Sequence, residues 1–369
     1  MDGGMVTTRL RYVEVCAGAG GMGLGLHMAG WTGTGMELDP DAVATHNANV
    51  GPCLAADITS APAPHGADLV AGGVPCQSFS TAGKGEGLDD PRGQLFNALL
   101  RIGVEAGARC ILLENVRGLI SCGALPVILA AFRAAGYEPV HALLCAADYG
   151  VPQNRVRLFI AGFRDAADLA RFQWPAPSHG APGNLYGLPR WRTVRDALGL
   201  PIDAPSVTVT SSEGRDGLRG AHGGTAAGRG AGYAINRALA ATLDRPAHTV
   251  SAGGTASGGA EPFANAGYRK RLSAALATAG LIDRPATAIT SRNAVAAAGH
   301  HASNWTGAVR MTVAQLAALQ SFPAGFVFTG TTTAQHKQVG NAVPPLLARA
   351  LGDAIRRALY GDPAREAGE

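Results

Sequence analysis

The sequence predicts an α/β fold built on a doubly wound, mostly parallel sheet. Two features of the first 163 residues carry that prediction: short apolar runs alternate with segments of helical periodicity, and a glycine-rich turn, "CAGAGGMG", follows the first run. A third observation adds a second domain. From about residue 163 to about residue 303 the rhythm stops and Gly, Pro, Ser, Thr and Arg dominate, after which helical periodicity returns. The chain therefore reads as a body made by both ends, 1–165 and 306–369, with a smaller, loop- and β-rich domain inserted at 166–305.

The elements follow in order. "RYVEVC" is a strand, and "GGMGLGLHMAG" is a turn entering a helix. "TGTGMEL" is a second strand; "DPDAVATHNAN" is a helix, with Asp39 as its cap and Pro40 in its first turn. "ADLVAGG" is a buried strand that runs into "GGVPCQSFSTAGKGEG". "QLFNALLRIGVEAG" has helical spacing, and "CILLEN", "YEPVHALLCA" and "RVRLFIAGF" read as three further strands. Near the far end, "VRMTVAQLAALQSFP" and "PPLLARALGDAIRRALY" are amphipathic helices. Within the insert, "PSVTVT", "PAHTVS" and "PATAIT" begin at residues 205, 246 and 285, a weak repeat of turn-plus-strand units.

Composition excludes several classes. With 369 residues, 47% hydrophobic and 16% charged, the chain buries a sizeable core and is not a disordered protein. Six cysteines without a CxxC pair or histidines at zinc spacing fit reduced thiols in a cytoplasm, with no metal and no disulfide scaffold. No signal peptide and no apolar run near 18 residues is present, so neither secretion nor a membrane span is expected. Residues 166–303 hold 14 basic and 8 acidic side chains against an overall net charge of +4, which points the insert toward an acidic partner, nucleic acid foremost.

Chemistry-bearing residues stand at the expected strand ends. Gly18, Gly20 and Gly23 let backbone approach a ligand at a helix N-terminus, and Glu37 ends the next strand, placed for ribose hydroxyls. That pair of features fits a dinucleotide or S-adenosylmethionine equally well. Cys76 sits between Pro75 and Gln77, a thiol on a stiff base ahead of a Gly/Ser/Thr segment. Glu114 lies just beyond a buried strand, at the edge where open α/β sheets keep their sites. Arg155 and Arg157 alternate with apolar residues, and Gly340-Asn341 makes a turn before a proline pair.

In chain order, "CAGAGG", "MELD", "AADI", "GGVPCQSFS", "DPRGQLF", "LLENV", "PQNRVRLF", "RMTVAQLAALQSFP" and "QVGNAVPP" resemble the motifs of the DNA cytosine-5 methyltransferases, over most of the chain outside the insert. One departure is Cys16, where the family usually has the phenylalanine that contacts the adenine. The resemblance implies a Rossmann-like methyltransferase body using S-adenosylmethionine, with the insert as target recognition domain. It implies Cys76 as nucleophile at carbon 6 of cytosine with Gln77 beside it, protonated Glu114 donating to ring N3, Arg157 binding O2, and Arg155 as a further catalytic candidate. Cys16, Ala17, Gly18, Gly20, Gly21, Glu37, Leu38, Asp57, Ile58, Pro75, Leu95, Asn341 and Val343 are the implied cofactor pocket. The base would be flipped out of double-stranded DNA, and residues 78–93, with Ser80 facing DNA, would form a lid. Arg215 and Arg292 are the candidates for base or phosphate contacts in the insert. A companion restriction endonuclease acting separately is the expected biological partner. Rival readings are an enzyme acting on RNA cytosine such as tRNA, a dinucleotide oxidoreductase, and a non-catalytic DNA-binding relative.

Overall fold

The computed structural model describes residues 10–75, 93–199, 206–207 and 312–361. Strand β1 (Arg11–Val15) leads into α1 (Gly21–Met28), then β2 (Thr32–Glu37), α2 (Pro40–Asn49), β3 (Cys53–Ala55) and β4 (Leu69–Gly72). After these come α3 (Gly93–Ala106), β5 (Cys110–Val116), α4 (Gly118–Ser121), α5 (Leu125–Ala134) and β6 (Glu138–Cys145). A 3-10 turn (Ala146–Tyr149), β7 (Gln153–Asn154), β8 (Val156–Phe163) and α6 (Ala166–Arg171) follow. The remaining described elements are α7 (Val194–Leu198), β9 (Ser206–Val207), α8 (Val313–Leu319), α9 (Thr332–Asn341) and α10 (Pro345–Tyr360).

Seven strands form one sheet in the order β3-β2-β1-β4-β5-β8-β6. The neighbours from β3 to β5 pair in parallel, whereas β8 runs antiparallel to both β5 and β6. The continuous apolar runs have a simple cause: both faces are covered. Val13, Val70, Ile111 and Ile160 pack on one face with Phe96 and Leu99 of α3 and Phe132 of α5. Tyr12, Leu69, Leu112 and Phe159 pack on the other with Leu26 of α1 and Leu351 and Ile355 of α10.

The expected strands and long helices are present, and Asp39 caps α2 by accepting the Asp41 N–H. Several elements differ from expectation. Glu114 is not beyond a strand but inside β5, which runs on to Val116 because Glu114 pairs with Phe159 of β8. Strand β3 escapes sequence reading because two of its three residues are exposed. Within residues 166–198, which the sequence reading placed in the insert, α6 and α7 pack on the body. Asp168 of α6 takes a bidentate pair from Arg109, and Val194 of α7 joins Leu316, Leu319 and Phe322 in one apolar cluster. Of the repeat units, only the start of the first falls among the described residues, where Ser206 pairs in parallel with Gln153. No helix among the described residues is long and apolar enough to cross a membrane.

Candidate active site

Beyond β1 the backbone turns through left-handed conformations at Cys16 (φ 51°), Gly18 (φ 54°) and Gly20 (φ 83°) before α1 begins. Cys16 adopts a φ that L-residues seldom take, so the turn is held by its surroundings. Glu37, at the end of β2, supplies much of that hold. Its Oε2 accepts the Gly18 N–H at 2.8 Å, and its Oε1 accepts the N–H groups of Leu38 and Asp39 at 2.8 and 2.9 Å. A carboxylate has about four lone-pair positions, so capacity remains for a ligand hydroxyl. Among the described residues beyond its chain neighbours, no heavy atom lies within 4 Å of where a Gly18 Cβ would stand. Gly21 is different: a Cβ there would run into the Val343 carbonyl oxygen, which packs the start of α10 against the turn. A glycine-rich backbone turn beside an acid at a strand end fits a ligand carrying ribose hydroxyls. The Cys16 thiol, half-buried at this turn, is pushed up to about 12 by burial and by the Glu37, Glu14 and Asp57 carboxylates, so it stays protonated.

Below the turn lies a layer of buried polar side chains that the sequence reading passed over. Glu14 Oε2 accepts the Gly23 N–H at 2.8 Å, and His46 of α2 approaches the same oxygen at 3.8 Å. The available signal was a glutamate in an otherwise apolar strand and a histidine in the helix that covers it.

The second half of the site lies at the carboxyl end of β5. Glu114 Oε1 stands 3.2 Å from Arg157 Nε, both side chains nearly buried. Strand register explains the pairing: Arg157 lies opposite Val116, so it is a diagonal neighbour of Glu114 on the adjacent strand. A Cβ on Gly73 would lie 3.0 Å from Glu114 Oε2, and Asn115 Nδ2 donates to the Val74 carbonyl at 3.2 Å. The strand-exit backbone at Gly73 and Val74 is thereby fastened beside the acid–arginine pair. Cys76 follows Pro75 in sequence but lies outside the described residues, as do Gln77, Ser80, Arg215 and Arg292.

Arg155 and Arg157 have different tasks. Arg155 is 2% exposed, and its Nη1 donates to the Gly340 carbonyl at 3.2 Å, near the end of α9. Beside it is a network that sequence reasoning missed. Gln153 Nε2 donates to Gln320 Oε1 at 2.7 Å, and Gln320 Nε2 donates to the Val339 and Ala342 carbonyls at 2.8 and 3.3 Å. The signal was a glutamine on the apolar side of "VAQLAALQSFP".

The other pocket candidates divide by exposure. Ala17 is buried behind the turn, Leu38 is exposed beside Glu37, and Pro75 and Asn341 are exposed. Leu95 is half-buried against the core. Asp57 is exposed and held below the usual carboxylate range by the N–H and then the hydroxyl of Thr59. Ile58, at 3% exposure, packs its side chain in the core beneath its turn. Val343, at 6%, touches the site through its carbonyl.

Residues 10–357 match the family model described as C-5 cytosine-specific DNA methylase. Type II methyltransferase M.NgoMIV of Neisseria gonorrhoeae is 32% identical over 94% of this chain and 97% of that protein. Type II methyltransferase M.NaeI of Lentzea aerocolonigenes is 30% identical over 95% of this chain and 75% of that protein. Among solved structures, the S. pombe Dnmt2 methyltransferase superposes with a TM-score of 0.54 at 19% identity, covering 95% of this chain and 100% of that one. Entamoeba histolytica methyltransferase EhMeth gives a TM-score of 0.55 at 12% identity, over 95% of this chain and 99% of that one. These structural likenesses show the fold.

Proposed function

The chain belongs to the C-5 cytosine-specific DNA methylase family, and on that premise we propose that it methylates carbon 5 of a cytosine flipped out of double-stranded DNA, using S-adenosylmethionine and a transient bond to Cys76. One observation carries the reading. The Glu114–Arg157 pair sits at the carboxyl end of β5, directly beside the Gly73–Val74 backbone that leads to Cys76.

Carbon 5 of cytosine is a poor nucleophile while the ring is aromatic. Attack of the Cys76 thiolate on carbon 6 breaks that aromaticity and places electron density on carbon 5 and the ring's polar edge. Glu114, as the acid, donates a proton to N3, and the Arg157 guanidinium neutralises charge on O2. Once carbon 5 carries the methyl group, loss of its proton to solvent expels Cys76 as the thiolate, the N3 proton returns to Glu114, and the ring is restored. The bound donor would supply an electrophilic methyl group on a sulfonium. Glu37 would hold its ribose hydroxyls, and the Gly18–Gly20 turn would lie against it. In this reading the insert reads the duplex, with Arg215 and Arg292 contacting bases or phosphates. The type II designation of the relatives supports a companion restriction endonuclease that acts separately.

The test uses the whole protein. DNA from cells expressing the parent should show methylated cytosines at one recurring sequence by bisulfite sequencing. Cys76→Ser should abolish methylation, and a 5-fluorocytosine duplex should trap covalently with the parent alone. Methylation by Cys76→Ser, or a trap mapping to another cysteine, would refute the proposal.

A further inference from the structure

Beneath the glycine turn lies a pair of titratable side chains that the methylation chemistry leaves unused. His46 is fully buried, and its Nδ1 stands 3.0 Å from the Gly51 carbonyl oxygen. A carbonyl only accepts, so Nδ1 carries the hydrogen and Nε2 is the nitrogen that titrates. Among the described residues Nε2 has no hydrogen-bond partner, and it faces Glu14 Oε2 at 3.8 Å. With Nε2 bare and Glu14 ionised, two lone-pair-bearing atoms would face each other away from water, an uncompensated repulsion. One proton on either partner removes the conflict.

Both partners also shape the turn. A Cβ at Gly20 would lie 2.7 Å from His46 Cδ2, and one at Gly35 would lie 2.8 Å from Nε2, so the ring fills the space under the glycines. Glu14 holds the other end through the Gly23 N–H inside α1. We infer that Glu14 and His46 form a one-proton couple that positions the glycine turn, and that binding of S-adenosylmethionine is linked to this proton. The inference rests on the reading that this turn holds that ligand.

The groups around the couple are Tyr12 on β1, Cys16 in the turn, His27 on α1, Glu37 on β2 and Cys53 on β3. Burial, aided by neighbouring carboxylates, raises Tyr12, Cys16 and Cys53, so all three stay neutral. Burial and then His46 lower His27. For His46 itself burial favours the neutral ring, but the Glu14 carboxylate overrides it and the result lies above the ordinary 6.5. Burial likewise raises Glu14. Both directions favour keeping a proton on the couple. The proton is present below the raised value and lost as pH climbs past it, so affinity is full below that point and falls above it.

Calorimetry from pH 6.5 to 9.5 with S-adenosylmethionine, and with S-adenosylhomocysteine, its product after methyl loss, tests the linkage. The parent's affinity for both should fall above the couple's midpoint, approaching tenfold per pH unit. Binding in buffers of different ionisation enthalpy should show about one more proton taken up there than in His46→Gln. In that variant an amide donates to Glu14 at every pH, so the alkaline step should vanish. His46→Leu, with no donor, should bind more weakly throughout. A parent affinity flat across the range, or an equally steep fall in His46→Gln, would overturn the inference. So would alkaline tightening confined to the cationic donor, which would mark simple attraction to an uncovered Glu14. Binding of neither compound by the parent at any pH would be failure of the cofactor reading, and the couple's role would fall with it. Binding without the alkaline step would be failure of the couple's role alone.

Discussion

Glu37 and Glu114 both end up at the carboxyl edge of the sheet, yet their surroundings give them different work. Glu37 is surrounded by backbone donors, three of which it accepts while remaining half-exposed. It is built to hold a conformation and to accept more hydrogen bonds. Glu37→Ala should weaken S-adenosylmethionine binding by about 1.5–3 kcal/mol, the range for hydrogen bonds to a charged group, as read by calorimetry. Unchanged affinity would remove Glu37 from the pocket. Among the described residues Glu114 instead faces one cation, Arg157, and is nearly buried. Glu114→Gln keeps the shape and the hydrogen bond but cannot deliver a proton. Its loss should therefore appear in turnover, by roughly 10²–10⁴-fold, with DNA affinity little changed. Near-normal single-turnover rates would sink the proton-donor role.

Among elements, the short β7 and the ends of α8 and α9 depend on each other through Gln153 and Gln320, both fully buried. Neither helix has a long apolar face, so the polar links matter more than usual. Gln320→Ala would take the buried side-chain donor from the Val339 and Ala342 carbonyls and leave Gln153 Nε2 with its longer, 3.3 Å bond to the Leu319 carbonyl. The cost should be about 1–3 kcal/mol in urea unfolding, with faster amide exchange at 339–343. A variant as stable as the parent would show that the carbonyls find other donors. The same elements explain how Arg155 and Arg157, two residues apart, diverge. Arg157 lies in β8 opposite Val116, whereas Arg155 precedes that strand and turns toward Gly340.

For the molecule as a whole, the joining of the chain's two ends is the decisive contact. Helix α1 and helix α10 cross so closely that a Cβ on Gly25 would lie 2.5 Å from Ala348 Cβ and 2.7 Å from the Arg349 nitrogen. Trp31 Nε1 adds a hydrogen bond to the Gly352 carbonyl at 3.1 Å. Because backbone lines the gap, it cannot give way. Gly25→Val should destabilise by about 1–3 kcal/mol through overpacking, measured by thermal or urea unfolding. Since Val343 sits against Gly21 in the same seam, ligand affinity should fall as well. A variant with parent-like stability and binding would show that the two helices can part without disturbing the turn.

Local physics made much of this protein legible in its sequence. Apolar runs bounded by glycine marked the strands, Asp39-Pro40 marked the start of α2, and the glycines after β1 with Glu37 after β2 marked the turn. Those signals act over a few residues, so they survive without knowledge of the fold. Tertiary structure alone decided the antiparallel insertion of β8 between β5 and β6, which brings Arg157 to Glu114. It alone decided that Ile58 packs in the core, that Arg155 reaches the Gly340 carbonyl, and that α6 and α7 pack on the body. It also joined Gln153 to Gln320 across 167 positions and Glu14 to His46 under the glycines. Periodicity reports which face of an element is apolar; it carries no record of which distant element will cover that face, and buried polar partners are chosen at that step.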